Sequence, residues 1–493
     1  MLRKYVIAVF LGLLFSLGFA PNDLWFVSLL SLTCLHFLIQ EASKKELFYI
    51  GYFYGFGLWS LGISWVYVSI YFYGNIGFIT SIILTIIFIT ILSLYLGVTL
   101  LLYHYLRFNS KFSIIFSLPL AWIVVEYLRS FLFTGFPWLI SGTMLADTSI
   151  DGWTPIIGAQ GNTFLLLLLS SLLFLSIKDL KKLQTALLPL IFFVLLFISS
   201  FSLKQIEWTT LNSSIKASII QPNLELEKKW SAEGIIETKN MMEIAIENAE
   251  EGEIIVFPET ALILSQNEIK DWIAYIDYKA EQKKITLITG IIEREEGSKV
   301  RNRILGLGAE NWHYDKVKLV PFGEFIPFEN IAGKFFDILG LKLTNTVPGK
   351  LINSISSGNI SISPSICYEI AFPELIRKTA SDSNILVTIS NDTWFGRSYG
   401  PIQHLEIAQN RALEHNKELV RSTNSGITAF ISKKGTIIEK QEYFEEKKLK
   451  RNVTLYSGNT FYSKYGNYPL ISIILIYLVL TFLKNNKKRT NVT

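Results

Sequence analysis

The sequence predicts two structural classes in one chain: a helical membrane part of eight spans, and an α/β domain inserted before the last span. Three observations predict this. Half of the 493 residues are hydrophobic, too many for an ordinary soluble protein. The apolar residues concentrate early in the chain and again just before the C-terminus, in runs about as long as the roughly 20 residues that cross a bilayer. Between Leu203 and the last run, short β-rich stretches alternate with charged stretches of helical spacing, the pattern of an α/β domain.

The apolar runs lie near 5–20, 24–40, 48–73, 77–105, 113–133, 160–177, 184–203 and 467–483. The first follows a basic start, as a signal peptide does. Pro21 directly after the best cleavage point, and a new apolar run from Leu24, make it an uncleaved span instead. The connections divide by charge. Lys44 and Lys45 follow the second run, Arg107 and Lys111 the fourth, and Lys178, Lys181 and Lys182 the sixth. Lys484, Lys487, Lys488 and Arg489 follow the eighth. Loops 21–23, around Gly74-Asn75 and 134–159 carry no Lys or Arg. The positive-inside rule then predicts cytoplasmic termini and an extracytoplasmic 204–466 region. That region has 32 Lys+Arg against 34 Asp+Glu, and the remainder 14 against 7, so the net +5 belongs to the membrane part. No basic-aromatic stripe of a nucleic-acid surface is present. The expected domains are residues 1–205, 206–466 and 467–493, the last being the eighth span with its basic tail.

The fifth run contains Glu126 and Arg129, three apart and on one helix face. A structural ion pair and a substrate-related pair are equally open here. Thr134-Gly-Phe-Pro-Trp-Leu139 suits an interfacial turn. In the α/β region strands are predicted at 217–223, 253–257, 285–290, 361–366, 386–390 and 426–431, with helices at 231–250 and 266–284.

Cys34 and Cys367 are the two cysteines, and a bond between an apolar run and the polar region is not expected. Cys34 reads as a core or lipid-facing residue. Cys367 ends the strand-like run Ser361–Ile366. Taken alone it is a buried structural cysteine or a nucleophile at a sharp strand end. A thiol nucleophile needs a base and a positive group for the oxyanion. His313, His404 and His415 sit in no recognisable cysteine-hydrolase context. No metal-ligand cluster or glycine-rich phosphate loop is found, and no cofactor is expected. Glu259, after strand 253–257 and Pro258, and Lys316, in Tyr314-Asp-Lys316, are the carboxylate and amine candidates. Each alone also fits an exposed surface residue.

The order Pro-Glu, Tyr-x-Lys, Cys-Tyr-Glu resembles the Glu–Lys–Cys signature of the nitrilase superfamily. Phe257-Pro-Glu-Thr-Ala261, Leu319-Val-Pro-Phe-Gly-Glu-Phe-Ile-Pro327, Cys367-Tyr-Glu369, Asn391-Asp-Thr-Trp-Phe-Gly396 and Arg421-Ser-Thr-Asn-Ser-Gly-Ile-Thr428 resemble, more narrowly, the apolipoprotein N-acyltransferase family. Thr134–Leu139 and Asn467-Tyr-Pro-Leu470 fit it in the membrane part. Phe257 stands where the family pattern has Trp, and Ser425 where it often has Asn. The resemblance implies a nitrilase-like αββα sandwich, a periplasmic domain of a multi-pass inner-membrane enzyme, and transfer of an acyl chain from a phospholipid to the α-amine of a diacylglyceryl-cysteine through a Cys367 thioester. It implies Glu259 as base, Lys316 as oxyanion stabiliser and Cys367 as nucleophile. Glu324 and Glu369 match supporting carboxylates, for Lys316 and for the substrate amine. Trp230 and Tyr368 match substrate-handling positions. Trp394 and Phe395 are read as pocket walls or, equally, as core packing. The implied partners are phospholipid, lipoprotein and bilayer; nothing demands more than a monomer.

The apolar stretch Phe325–Leu343, with Phe328, Phe335, Phe336, Ile338, Leu339 and Leu341, predicts a lipid-touching lid, or else a buried helix. Ala261-Leu-Ile-Leu264 is expected to line the acyl path. A membrane-anchored amidase and a transporter with a binding domain are the other classes the sequence admits.

Overall fold

The computed structural model describes residues 2–74, 76–295, 299–327, 345–350 and 352–490. They form two compact units, Met1–Ile206 with Tyr465–Thr493, and Glu207–Lys464.

The first unit is helical. Among the described residues, Phe78–Leu106, Lys111–Arg129, Asp151–Lys178 and Thr185–Leu203 are long and apolar enough to cross a bilayer. The predicted single run 48–73 is instead two helices, Lys44–Gly62 and Val66–Tyr73, bent by 60° at a break. Together they make a fifth candidate. The first two runs form helices of 15 residues each, Leu2–Ser16 and Trp25–Ile39. At 1.5 Å per residue each is ~22 Å long, short of the ~30 Å hydrocarbon core. The last run lies in Tyr468–Thr490, whose apolar part is also short. Eight is thus the number of apolar runs, while four or five helices are long enough on their own. Thr185–Leu203 leaves Leu187, Leu188, Ile191, Phe192, Leu195 and Ile198 exposed, an apolar surface of the kind lipid covers. Cys34 is exposed as well.

Glu126 and Arg129 are both buried. Glu126 accepts from the backbone N–H and hydroxyl of Ser141, both at 2.9 Å, and from the Thr163 hydroxyl at 2.7 Å. Arg129 donates to the carbonyl of Trp138 at 2.7 Å and its guanidinium lies over the Trp59 ring. These partners fasten the 136–141 loop, which favours the structural reading of the pair. Trp138 in that loop is buried.

The second unit is a sandwich of two six-stranded sheets. The strands are β1 (Thr210–Gln221), β2 (Ile254–Val256), β3 (Thr286–Arg294), β4 (Val300–Gly308), β5 (Trp312–Asp315), β6 (Ile355–Ser357), β7 (Ile360–Ile366), β8 (Ile385–Ser390), β9 (Leu419–Thr423), β10 (Thr428–Ile431), β11 (Ile437–Gln441) and β12 (Lys447–Ser457). One sheet runs β12-β1-β2-β3-β4-β5 and the other β11-β10-β9-β8-β7-β6. The central strands β1, β2 and β3 are parallel, as are β7, β8 and β9.

Strand periodicity sorts the side chains. Ile254 and Val256 of β2 point into the core shared by both sheets, with Ile219, Ile288, Ile362, Ile366, Val387 and Ile389. Their neighbours Ile255 and Phe257 point the other way, against Met242 and Ile246 of helix Ala232–Glu247 and Ile273 and Ile276 of helix Lys270–Gln282. The outer face of the second sheet meets helices Pro373–Ala380 and Gly400–His415. Ser363 bonds Thr379 there (2.6 Å), and Arg421 lies 3.0 Å from His404. Two helix layers over two sheets is the αββα arrangement. Ala261 and Leu262 are buried in the helix-side core and Leu264 packs on it, so this stretch packs the fold and does not line an open path. The predicted lid lies mostly in 328–344, outside the described residues.

Candidate active site

The site lies where strands of both sheets end. Glu259 follows β2 by way of Phe257 and Pro258. Lys316 directly follows β5, Cys367 follows β7, and Asn391 follows β8. In parallel α/β sheets the carboxyl ends of strands are where reactive groups gather, because loops there converge without breaking the ladder.

The Glu259 carboxylate is buried and has partners from both sheets. Its Oε1 accepts from Asn302 Nδ2 at 2.6 Å and from Lys316 Nζ at 3.3 Å. Its Oε2 accepts the backbone N–H of Asn391 at 2.8 Å. The loop that carries it rests on β3. Gly290 donates to the Pro258 carbonyl, and a Cβ on Gly290 would sit 2.4 Å from Thr260 N and 2.7 Å from Glu259 Cα. Glycine is required there by space alone. Lys229, also buried, donates to the Glu259 carbonyl (3.2 Å) and the Thr260 hydroxyl (3.0 Å). Burial lowers the Lys229 pKa to about 8.

Lys316 is 1% exposed and bridges two carboxylates: Glu259, and Glu324 Oε1 at 2.9 Å. Burial works against its charge, but the two carboxylates outweigh it and raise its pKa well above the ordinary lysine value. Glu324 is oriented by the Val320 N–H, which donates to its Oε2 at 2.7 Å.

Cys367 opens a 3-10 turn, Cys367–Ala371, in the left-handed region with φ 53°. A non-glycine residue there is disfavoured unless its surroundings impose it. The thiol is half-buried. Burial pushes its pKa up and the Glu259 charge adds to this; the Lys316 ammonium pulls the other way. The resting group is therefore a thiol, with a carboxylate near enough to influence it and a cation positioned to favour negative charge.

Glu369 is fully buried. It accepts from the N–H groups of Val317 (2.6 Å), Lys318 (3.0 Å) and Ile366 (2.8 Å), and from the Tyr314 hydroxyl (3.1 Å). Burial raises its pKa to about 7, against the pull of the Lys318, Ile366 and Val317 N–H donors. Its role is thus to hold the backbone beside Lys316 against the backbone beside Cys367. With all these donors around it, it does not face a substrate amine, which corrects that expectation.

The aromatic residues separate. Trp230 is 52% and Trp394 44% exposed, as side chains available to a ligand are. Tyr368 is buried, edge-on to Phe372, and so packs the turn. Phe395 sits edge-on to His404 and is part-buried. Sequence reasoning missed Asn302, Lys229 and Asn391, and it set His404 aside. Asn391 acts through its backbone, which no residue identity announces. Asn302 sits in a strand, Val300–Gly308, that shows no motif.

Models of known families match both units. The apolipoprotein N-acyltransferase N-terminal domain matches residues 11–172, and the carbon-nitrogen hydrolase model matches residues 216–457. Among similar proteins, the apolipoprotein N-acyltransferase of Vibrio parahaemolyticus is 33% identical, over 99% of this chain and 98% of its own. That of Photobacterium profundum is 33% identical, over 98% and 95%. That of Coxiella burnetii is 32% identical, over 97% and 99%.

Proposed function

Because the chain belongs to the apolipoprotein N-acyltransferase family, with a carbon-nitrogen hydrolase domain, we propose that it transfers an acyl chain to the N-terminal amine of lipoproteins and uses Glu259, Lys316 and Cys367 to do so. The observation that carries this reading is Lys316, a buried ammonium held between Glu259 and Glu324 and felt by the Cys367 thiol.

Glu259 takes the thiol proton as the sulfur attacks an ester carbonyl of a phospholipid. The oxyanion that forms is stabilised by Lys316. The intermediate collapses with loss of the lysophospholipid alkoxide, which receives the proton from Glu259. The acyl group is left on sulfur as a thioester. The α-amine of a diacylglyceryl-cysteine then attacks the thioester carbon, Glu259 takes the amine proton and hands it to the departing thiolate as the C–S bond breaks, and the amide leaves with the thiol and carboxylate restored. The two half-reactions make a ping-pong scheme.

Both substrates carry acyl chains, and exposing them to water costs about 0.8 kcal/mol per CH2. Residues 1–205 and 467–493 serve in this reading as the membrane part, and 206–466 as the periplasmic catalytic domain. The charge pattern of the loops supports eight crossings of the inner membrane with both termini in the cytoplasm. Shorter helices cross by thinning the bilayer locally or by oblique packing against longer ones.

The test is the mass of the Cys367 peptide after full-length protein meets phospholipid. A fatty-acyl increment, released by neutral hydroxylamine and absent from Cys367→Ala, is the expected result. An unmodified Cys367 in folded protein offered several phospholipids would overturn the donor assignment. Ammonia released from small amides by that protein would replace it with the amidase reading.

A further inference from the structure

A second polar network, sharing no member with the Glu259–Lys316–Glu324 cluster, grips the backbone of Cys367. His404, on helix Gly400–His415, places Nε2 3.1 Å from the Cys367 carbonyl oxygen. Its Nδ1 lies 2.9 Å from Asp392 Oδ1 and 3.0 Å from Arg421 Nη2. Arg421 Nη2 also donates to Asp392 Oδ2 at 2.6 Å, and the Ser390 hydroxyl donates to Asp392 Oδ1 at 2.6 Å. Asp392, His404 and Arg421 are all fully buried. Burial shields these bonds from bulk solvent, and the fold sets their geometry.

The chemistry of the contact settles the proton. A carbonyl oxygen only accepts, so Nε2 must carry hydrogen. The neutral Nε2–H ring and the imidazolium both satisfy this, and the Nδ1–H neutral tautomer does not. Burial and the Arg421 charge lower the His404 pKa, while the Asp392 carboxylate against Nδ1 opposes them. Asp392 Oδ1 and Arg421 Nη2 both lie against Nδ1 and fix the plane of the ring.

The bond matters because of where it falls. β7 holds the N-terminal side of Cys367 through its pairing with β8, up to Ile366 opposite Ile389. Cys367 itself then turns into the left-handed region. In that conformation the direction of the thiol depends on the peptide plane that follows, and the carbonyl of that plane is what His404 holds. We propose that His404, oriented by Asp392 and Arg421, is a positioning residue that keeps Cys367 in its left-handed, attack-ready conformation. The inference rests on Cys367 being the nucleophile.

The test is alkylation of Cys367 by iodoacetamide in the full-length protein in lipid nanodiscs. It is followed by peptide mass, with Cys34 as the internal reference and melting temperature as the check on folding. His404→Ala is expected to slow alkylation of Cys367 by about tenfold or more with Cys34 unchanged, the scale on which small misplacements act. His404→Gln keeps an N–H at the reach of Nε2 and is expected to return the rate to within about threefold of the native protein. A folded His404→Ala protein with the native Cys367 rate overturns the proposal. So does a folded His404→Gln protein slowed as much as the alanine variant. If the alanine variant does not fold, His404→Gln decides: a rate within about threefold supports the proposal, and a tenfold loss overturns it. A native protein whose Cys34 reacts while Cys367 stays inert overturns the nucleophile assignment and this inference together. A reactive native Cys367 untouched by His404→Ala overturns this inference alone.

Discussion

The backbone N–H of Asn391 donates to Glu259 Oε2 at 2.8 Å, so a residue at the end of β8 in one sheet fixes a carboxylate carried by the other. With Asn302 and Lys316 on Oε1, the carboxylate is held at both oxygens. A carboxylate so held does not swing.

Removal of Asn302 tests that restraint. Asn302→Ala deletes a 2.6 Å bond to a carboxylate, a type worth about 1.5–3 kcal/mol. Acyl-enzyme formation is expected to fall about 10- to 100-fold, since each 1.4 kcal/mol is a factor of ten. Rapid-quench measurement of Cys367 acylation checks it; a native rate in Asn302→Ala would mean that the base is positioned without this bond.

Lys316 ties stability to chemistry. Lys316→Ala leaves Glu259 and Glu324 buried without their cation. The expected loss is about 3–5 kcal/mol of stability, as for other broken buried pairs, with acylation reduced at least ~100-fold. Denaturant titration beside the acylation assay reads both. An unchanged denaturation midpoint would show that the carboxylates find other partners or protons.

Gly290→Ala drives a Cβ to 2.4 Å from Thr260 N, among backbone atoms that have no room to yield. Displacement of the Glu259 loop is expected, with a cost of about 1–3 kcal/mol and a larger fractional loss of acylation than of folded protein. Gly77→Ala meets nothing within 4 Å and serves as the control. Equal behaviour of the two variants would refute the steric argument.

Glu369 predicts a pH dependence. Its pKa rises from 4.5 to about 7 in the fold, so the folded state binds the proton more tightly than the unfolded state does. The stability this contributes is complete below about pH 4.5 and is lost as pH rises through 7. The native protein should therefore lose melting temperature between about pH 5 and 7, and Glu369→Gln should show a flatter profile in that window. Parallel profiles would assign the slope to other groups.

Membrane topology is testable by cysteine accessibility in a Cys34→Ser, Cys367→Ser background. Lys440→Cys is expected to react with an impermeant maleimide in spheroplasts, and Lys181→Cys only after lysis. The reverse pattern would invert the orientation read from the loops.

Much of this was legible in the chain. Continuous apolar runs marked β2, β3 and β8 as strands, because each is buried on both faces. The motifs around Glu259, Lys316, Glu324 and Cys367 singled out the residues that the fold brings together. Three things were not legible. The break after Gly62 depends on tertiary packing, since hydropathy runs on through it. The contact of Asn391 with Glu259 is a backbone bond, and a backbone N–H is the same for almost every residue. His404 was set aside because no sequence pattern links it to a cysteine 37 positions away, and the bond it makes is to a carbonyl and not to the thiol. The burial of Ala261 and Leu262 was misread for a related reason: an apolar stretch looks the same whether lipid or a helix covers it.

Glu369 joins the N–H groups of Val317 and Lys318 to that of Ile366. Lys316 and Cys367 come from different sheets, yet this one side chain makes their flanking backbones a single part. Their spacing is set by the length of a glutamate and not by the chain that runs between them. Changes of chain length between these two points that leave Glu324 and β7 in place therefore keep the separation of Lys316 and Cys367.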